Sequence, residues 1–206
     1  MILSHGHYDH SGGLQYLSPS GVWCAANADC GHYSYHDDGT IHHIYMPFAA
    51  QAVLRETAVF HPGGFTEIAD GLYLTGEIPR NSGEDCGGNF FHDEQCTIPD
   101  EVPDEQSLLT SSGVLVTGCC HSGIINTVEF CRLMHPEIKI RAIVGGLHLR
   151  RADEYRLHRT AEYLAESGIE QLHLLHCTGE NAVEYLKNHL PKCKIYIPAT
   201  GSTWEI

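Results

Sequence analysis

The sequence predicts an α/β fold, because predicted strands alternate with predicted helices throughout its second half. A hairpin of two strands is expected around Ser112-Gly113, which is a typical turn pair. Three later stretches carry apolar residues at helical spacing, and Gly168 stands where one of them should end. The predicted strands are residues 107–111, 114–117, 140–144, 172–175 and 194–197, and the predicted helices are residues 123–134, 152–167 and 180–190.

The first half of the chain has weaker periodicity. Residues 1–4 resemble the end of a buried strand, and residues 22–26 and 71–75 are predicted to be short strands. Residues 27–60 are interpreted as mixed loop and short helix. Residues 79–105 are rich in turn formers and acids and predict a long loop, and loops of that length are usually functional or disordered.

The composition fits one globular domain, predicted to span residues 1–206, and excludes several partners. A formal charge of −14 argues against a nucleic-acid backbone, which is bound by clustered Lys and Arg. No run of about 18 apolar residues is present, so no membrane span is expected. Nine cysteines, an odd number, favour free thiols in a reducing cytoplasm. Sixteen histidines are compatible with metal binding or pH sensing.

The clearest chemical motif is HGHYDHSGG, which directly follows an apolar segment. It places His5, His7, Asp9 and His10 in the pattern H-x-H-x-D-H. Alternation along a loop lets the first two side chains face one metal ion and the last two a second. Imidazole and carboxylate suit zinc, and also manganese or iron. A single histidine near a strand end can simply satisfy backbone groups, but all four in this pattern predict a metal site.

Three more histidines follow predicted strands, namely His121, His148 and His176. They are separated by 27 and 28 residues, which is the spacing of successive βα units, and each has glycine nearby. In α/β folds ligands bind where strands end, so these histidines are predicted to join the metal site. Three thiols lie next to these histidines in the sequence, namely Cys119, Cys120 and Cys177. Each could bind metal, act as a nucleophile or pack beneath the site.

The motif LSHGHYDHSGG resembles the signature of the metallo-β-lactamase superfamily. Later segments are similar to the branch that contains 7,8-dihydropterin-6-methyl-4-(β-D-ribofuranosyl)aminobenzene-5′-phosphate synthase. These segments are LTGEIPR (74–80), DEQSLL (104–109), TGCCHSGIINT (117–127), VGGLHL (144–149) and HCTGENA (176–182). The resemblance implies a four-layer αβ/βα sandwich with a mono- or dinuclear metal site between its sheets.

The resemblance also implies a ligand set for two divalent ions, with zinc preferred and manganese or iron as alternatives. The first ion would take His5, His7 and His121, and the second Asp9, His10 and His176. Most of the superfamily bridges the two ions with an aspartate located between the last two histidines, and this chain has no obvious one there. His148 is the expected replacement, whereas Asp153 is expected at a helix start.

The chain departs from the superfamily pattern at its start, because the strands that normally precede the motif are missing. The first half-sheet is therefore expected to be incomplete. A fragment, a shortened gene model and a member that fills the gap by another route are all compatible with this. An exposed sheet edge would favour pairing with a second copy, so a homo-oligomer is one expectation.

The function expected from these residues is metal-dependent hydrolysis of a small ester or phosphoester. A bound divalent ion lowers the pKa of its water from 15.7 to about 7, which yields hydroxide at neutral pH. Asp9 would orient the water or accept its proton. The long loop would cover a small-molecule substrate, which is phosphorylated in one interpretation. Arg80 would bind its anionic group and Glu77 would be a second contact. A salt bridge is the alternative role for Arg80.

Two other functions are open, and a third is disfavoured. A transferase-like synthase follows from the named branch, and a non-catalytic metal-binding or truncated remnant follows from the missing strands. A diiron oxidoreductase on the same fold is disfavoured, because such enzymes use glutamate at the position of His7.

Overall fold

The computed structural model describes residues 1–84 and 88–203, and in that part it contains twelve strands and five α-helices. The strands are β1 (Val22–Cys24), β2 (Tyr33–Tyr35), β3 (Ile41–His43), β4 (Ala58–Phe60), β5 (Thr66–Ala69), β6 (Leu72–Leu74), β7 (Phe90–Phe91), β8 (Leu108–Thr110), β9 (Val114–Val116), β10 (Ala142–Gly145), β11 (Gln171–Leu174) and β12 (Lys194–Tyr196). The helices are α1 (Tyr8–Ser11), α2 (Phe48–Thr57), α3 (Ile124–Met134), α4 (Glu154–Glu166) and α5 (Glu180–His189), with 3₁₀ turns at Gly12–Tyr16 and His176–Thr178.

The largest sheet has seven strands in the order β12-β11-β10-β9-β8-β6-β5. The four strands from β9 to β12 are parallel, and the other three continue the sheet in antiparallel fashion. Helices α3, α4 and α5 connect the parallel strands, as a parallel sheet requires. The carboxyl ends of β9, β10 and β11 therefore lie side by side at one edge.

The main core lies between this sheet and its helices. Leu115, Ile143 and Leu172 on the strands are fully buried and belong to the same apolar cluster as Ile124 of α3 and Leu186 of α5. Helix α4 contacts both α3 and α5, so the three helices cover one face. Burial of each such side chain contributes about 1.5–3 kcal/mol, which fixes the strand ends that carry the later histidines.

Two small sheets lie on the amino-terminal side. Strands β1 and β4 pair in parallel, with Ile2 adding a single bridge to Trp23 of β1, and β3-β2-β7 form an antiparallel sheet. A second apolar cluster, which includes Leu3 and Met46, supports the HGHYDHSGG segment from below. The α/β sandwich class with a reduced first sheet is confirmed.

The five strands and three helices predicted in the second half are confirmed, and each observed end lies within two residues of the predicted one. Residues 1–4 contain only a bridge instead of the expected strand, because β1 offers them a single pairing position. Strand β5 was not expected, and residues 27–60 contain an antiparallel hairpin as well as the ten-residue helix α2. In the long loop, residues 85–87 lie outside the described residues. None of the described helices combines the length and apolar character needed to cross a bilayer.

Candidate metal centre

The HGHYDHSGG loop owes its shape to a close approach of two backbone segments at Gly6. A Cβ on Gly6 would lie 1.9 Å from the carbonyl oxygen of Ala28, so only glycine fits. The Gly6 N–H donates to Asp104 Oδ2 at 2.7 Å, and the Ser11 hydroxyl donates to the carbonyl of His7 at 2.8 Å. These contacts fix the backbone on both sides of His5 and His7 before any ligand is bound.

The later histidines extend from the carboxyl ends of β9, β10 and β11, as the sequence predicts. His148 and His176 have φ angles of +49° and +50°, a left-handed region that non-glycine residues rarely adopt. Such strain persists where the surrounding fold over-determines it, and it is concentrated at functional sites.

The structure brings the seven predicted metal residues around one point. The ring of His121 lies 4.9 Å from those of His5 and His7 and 4.4 Å from that of His148. Nitrogens of His5, His7 and His121 all lie within 4.8 Å of one another, the spread expected of ligands to one ion. This triad matches the first ligand set implied by the resemblance.

A second group adjoins the triad. The ring of His10 lies 4.3 Å from that of His5, and its Nε2 is 3.2 Å from His176 Nε2. Asp9 Oδ2 is 3.0 Å from the same His176 nitrogen. Two imidazole nitrogens and a carboxylate oxygen thus converge in a half-exposed position beside the buried triad, as a second ion would require.

Four imidazole nitrogens of the triad fit a metal because they have no hydrogen-bond partner among the described residues. Among the described residues, Nε2 of His5, Nε2 of His7 and both ring nitrogens of His121 are buried without a hydrogen bond, and so is Nδ1 of His148. Each such buried nitrogen without a hydrogen bond lowers the stability of the fold by about 1–3 kcal/mol. A divalent cation bound between them would remove that penalty, and the donor set is the one that zinc prefers.

The electrostatics keep these imidazoles neutral. Burial, reinforced by neighbouring histidines, holds the pKa of His5 and of His121 well below its ordinary value and lowers the pKa of His7 to about 3. Burial also lowers the pKa of His10. Metal ligation requires neutral imidazole, so the site is ready to bind at neutral pH.

This burial predicts an acid-labile metal-free protein. Because the folded-state pKa of His7 lies below the unfolded value of about 6.5, the unfolded chain binds protons first as the pH falls. The stability linked to such a histidine is fully present above pH ~6.5 and is lost toward pH 3, at up to about 1.4 kcal/mol per pH unit.

We expect urea unfolding of chelator-treated protein to show a marked loss of stability between pH 7 and pH 5. His7→Asn should reduce the slope of the unfolding free energy against pH by the equivalent of about one bound proton. The surface variant His189→Asn serves as the control. An identical slope in His7→Asn and the native chain would contradict the buried, neutral state of His7.

A buried network of His32, Asp100 and Asp104 lies beside His7 of the triad. The ring of His32 lies 5.0 Å from that of His7, and its Nδ1 is 2.5 Å from Asp100 Oδ2. Although burial alone would lower the pKa of His32, the hydrogen bond to Asp100 and the charge of Asp104 raise it. His32 was not predicted to belong to the site, because it follows no predicted strand. No sequence signal marks His32, because the carboxylates it contacts, Asp100 and Asp104, are 68 and 72 positions away along the chain.

Glu105 fixes the loop that carries His121. Its two carboxylate oxygens accept hydrogen bonds from the backbone N–H groups of His121 and Ser122, at 2.6 and 2.7 Å. Burial raises the pKa of Glu105, and these two donors and the nearby charge of Arg80 oppose that shift. Glu105 therefore acts on the site through the backbone.

The three thiols beside the histidines have different surroundings. Cys119 Sγ is 3.0 Å from His10 Nε2 and lies within reach of both ligand groups, so a metal could use it. Hydrogen bonding from the Cys119 thiol and from His148 lowers the pKa of Cys177 to about 4. Cys120 is buried against Thr127 and belongs to the core. None of the cysteines in the described ranges forms a disulfide.

Two predicted substrate contacts, Arg80 and Glu77, do not line the cleft that opens onto most of the metal residues. The Arg80 guanidinium donates to the carbonyl of Glu101 and borders a neighbouring cleft that His121 and Phe90 also line. Glu77 is exposed, and no contact recorded among the described residues joins it to the histidines. Their substrate roles remain predictions. Asp153 caps α4 by accepting from the Arg156 N–H at 2.8 Å, as expected of a residue at a helix start.

A cleft of about 260 Å³ opens onto the metal residues. His7, Asp9, His121, His148 and His176 form its floor. Aromatic side chains from β2 and β7 and the arginines that follow β10 complete the walls. The cleft can accept a small molecule and place it directly against the candidate ligands.

Comparison with known proteins gives a consistent result. The crystal structure of Tm1679, a metal-dependent hydrolase of the β-lactamase superfamily, matches all of this chain and 78% of its own, with a TM-score of 0.85 and 30% identity. An uncharacterized protein of Methanocaldococcus jannaschii is 28% identical over 90% of this chain and 71% of its own length. From the same organism, 7,8-dihydropterin-6-methyl-4-(β-D-ribofuranosyl)-aminobenzene-5′-phosphate synthase is 27% identical over 88% of this chain and 67% of its own. No protein-family model matches the sequence.

Proposed function

The chain belongs to the metallo-β-lactamase superfamily, and from this premise we propose that it is a metal-dependent hydrolase of a small ester or phosphoester. The observation that carries the proposal is the convergence of buried imidazole nitrogens that lack any hydrogen-bond partner among the described residues. Such an arrangement stabilises nothing by itself and becomes favourable only with a cation in place.

We propose two zinc ions for this centre. The residues that would hold them are His5, His7 and His121 for one ion and Asp9, His10 and His176 for the other, with His148 beside His121. Each ion would act as a Lewis acid and would lower the pKa of coordinated water toward neutrality.

The chain's own residues would orient the reacting groups. The Asp9 carboxylate is about one-third exposed, lines the cleft and lies 3.0 Å from His176, so it can hold a water molecule or accept its proton. Asp104 and Glu105 hold the backbone at Gly6 and at His121 in place, which limits reorganisation during the reaction. Phe90 packs against His121 and His148 and would help to position a bound substrate on this side of the cleft.

A second candidate function is a transferase-like synthase. It is favoured by the 27% identity to the dihydropterin-ribosylaminobenzene-phosphate synthase. The same metal residues would serve either reaction, since both require a stabilised anionic leaving group, so the floor of the cleft does not separate the two functions.

A substrate comparison tests the proposal. Chelator-treated protein reconstituted with zinc or manganese would be assayed on p-nitrophenyl acetate, p-nitrophenyl phosphate and bis(p-nitrophenyl) phosphate. In parallel, a dihydropterin pyrophosphate would be offered with a ribosylaminobenzene phosphate. We expect hydrolysis of at least one ester, its loss after metal removal and its return when metal is added back.

Two outcomes would contradict the hydrolase. Coupling of the pterin pair without ester hydrolysis would establish the transferase instead. Full metal content by elemental analysis with no turnover of either substrate set would leave a non-catalytic metal-binding protein.

A further inference from the structure

Three arginines gather on the wall of the substrate cleft in a chain that is strongly acidic as a whole. The protein has 12 Lys and Arg against 26 Asp and Glu. Arg150, Arg151 and Arg156 nevertheless line the same cleft as His148 and His176. All three lie on the loop after β10 or in the first turn of α4, which is where ligands bind in parallel sheets.

Arg156 is the unusual member, because two of its three guanidinium nitrogens are buried without a hydrogen bond among the described residues. The residue is 7% exposed, and its Nε and one terminal nitrogen make no hydrogen bond within the described residues. Burying an unpaired charge costs several kcal/mol, so such groups are normally paired. Arg156 lies buried in the first turn of α4 and lines the cleft, so a ligand in the cleft can supply the missing hydrogen-bond acceptors.

The carboxylate whose charge acts on Arg156 does not supply that partner. The charge of Arg156 lowers the pKa of Glu84, but burial raises it more strongly. The Glu84 carboxylate accepts from the Ile125 N–H at 3.1 Å, at the start of α3. Among the described residues, no carboxylate lies within 4.0 Å of the guanidinium of Arg150, Arg151 or Arg156. Glu84 therefore offsets part of the Arg156 charge from a distance, and the unpaired N–H groups of Arg156 remain available to a ligand.

We propose that Arg156 and Arg151 form an anion subsite that binds a phosphate group of the substrate beside the metal centre. Guanidinium forks match tetrahedral phosphate oxygens with paired hydrogen bonds, and several cations favour a dianion over a single carboxylate. Arg150 contributes charge to the same cleft, where its guanidinium donates weakly to the carbonyl of His176 at 3.5 Å. The inference rests on the proposed function, since it takes the same cleft as the substrate site.

Inorganic phosphate is the probe for this subsite. Its binding would be measured by calorimetry on the full chain, both loaded with zinc and stripped of metal. We expect Arg156→Gln and Arg151→Gln to weaken phosphate binding about tenfold in both forms, because each removes charge-assisted hydrogen bonds. Arg156→Lys keeps the charge but loses the fork, and it should fall between the native chain and Arg156→Gln.

Arg159→Gln is the matched control. Arg159 lies on the same helix, but its guanidinium is already bound to the Ser82 carbonyl at 3.1 Å and borders only a side cavity. Phosphate binding in this variant should stay within about twofold of the native value.

The outcomes separate this inference from the proposed function. Native phosphate affinity in Arg156→Gln and Arg151→Gln, with zinc content unchanged by elemental analysis, would overturn the subsite and leave the metal centre standing. Absence of phosphate binding by the native chain would overturn it too. Arginine-dependent phosphate binding by native chain that takes up neither zinc nor manganese on reconstitution would support the subsite and refute the metal-dependent hydrolase. If Arg156→Gln does not fold, phosphate binding by two other variants tests the subsite. These are Arg151→Gln, at an exposed position, and Arg156→Lys, which keeps the charge.

Discussion

His121→Asn is expected to abolish tight metal binding and to lower kcat/KM on any ester substrate by more than about 100-fold. Even outer-shell partners of metal ligands cost 10–100-fold when removed, so loss of a ligand itself should cost more. His121 is chosen because its ring lies within 4.9 Å of those of His5, His7 and His148. Zinc content per chain, measured after dialysis, should fall by at least one ion relative to the native protein.

The control for this variant is His173→Asn. His173 is also a buried histidine, 2% exposed, but it lies on β11 with its ring stacked on Tyr196, away from the cleft. Any loss of stability from removing a buried imidazole should be shared by both variants, whereas loss of zinc should be confined to His121→Asn. Native zinc content and affinity in folded His121→Asn protein would place the metal centre elsewhere.

The predictable part of the site follows from local periodicity. Alternating strands and helices after residue 107 place His121, His148 and His176 at the ends of β9, β10 and β11. Since neighbouring parallel strands end at one edge, sequence spacing alone predicts that these histidines approach one another. The H-x-H-x-D-H motif adds its residues without any tertiary information, because its ligands are local.

The parts that could not be predicted depend on contacts between distant segments. His32 reaches the site through Asp100 and Asp104, which are 68 and 72 positions away along the chain. Arg156 occupies a helical position that in isolation indicates a solvated residue, and only the packing of α4 beside Glu84 buries it. Strands β2, β3 and β5 are short and none of their apolar residues is buried, so they lack the buried apolar run by which the equally short strands of the second half are recognised.

Gly6→Ala is expected to have the largest effect on folding, about 3 kcal/mol of destabilisation. The added Cβ would lie 1.9 Å from the Ala28 carbonyl oxygen and 3.3 Å from His32 Nε2, and backbone cannot yield as a flexible side chain would. For a chain of this size the unfolding midpoint should fall by about 6–12 °C. Since Gly6 separates His5 from His7, a shift of about 1 Å there should also weaken zinc binding and cost about 100-fold in rate.

Gly13→Ala provides the matched control within the same motif. A Cβ on Gly13 meets nothing within 4 Å, and the residue lies in the 3₁₀ turn Gly12–Tyr16, so alanine should be tolerated. Thermal unfolding and zinc content of the two variants separate the effect of the close approach from a general loss of glycine flexibility. Equal behaviour of Gly6→Ala and Gly13→Ala would mean that the Ala28 segment does not press against the loop. The buried positions of His5 and His7, which depend on that contact, would then lose their structural basis.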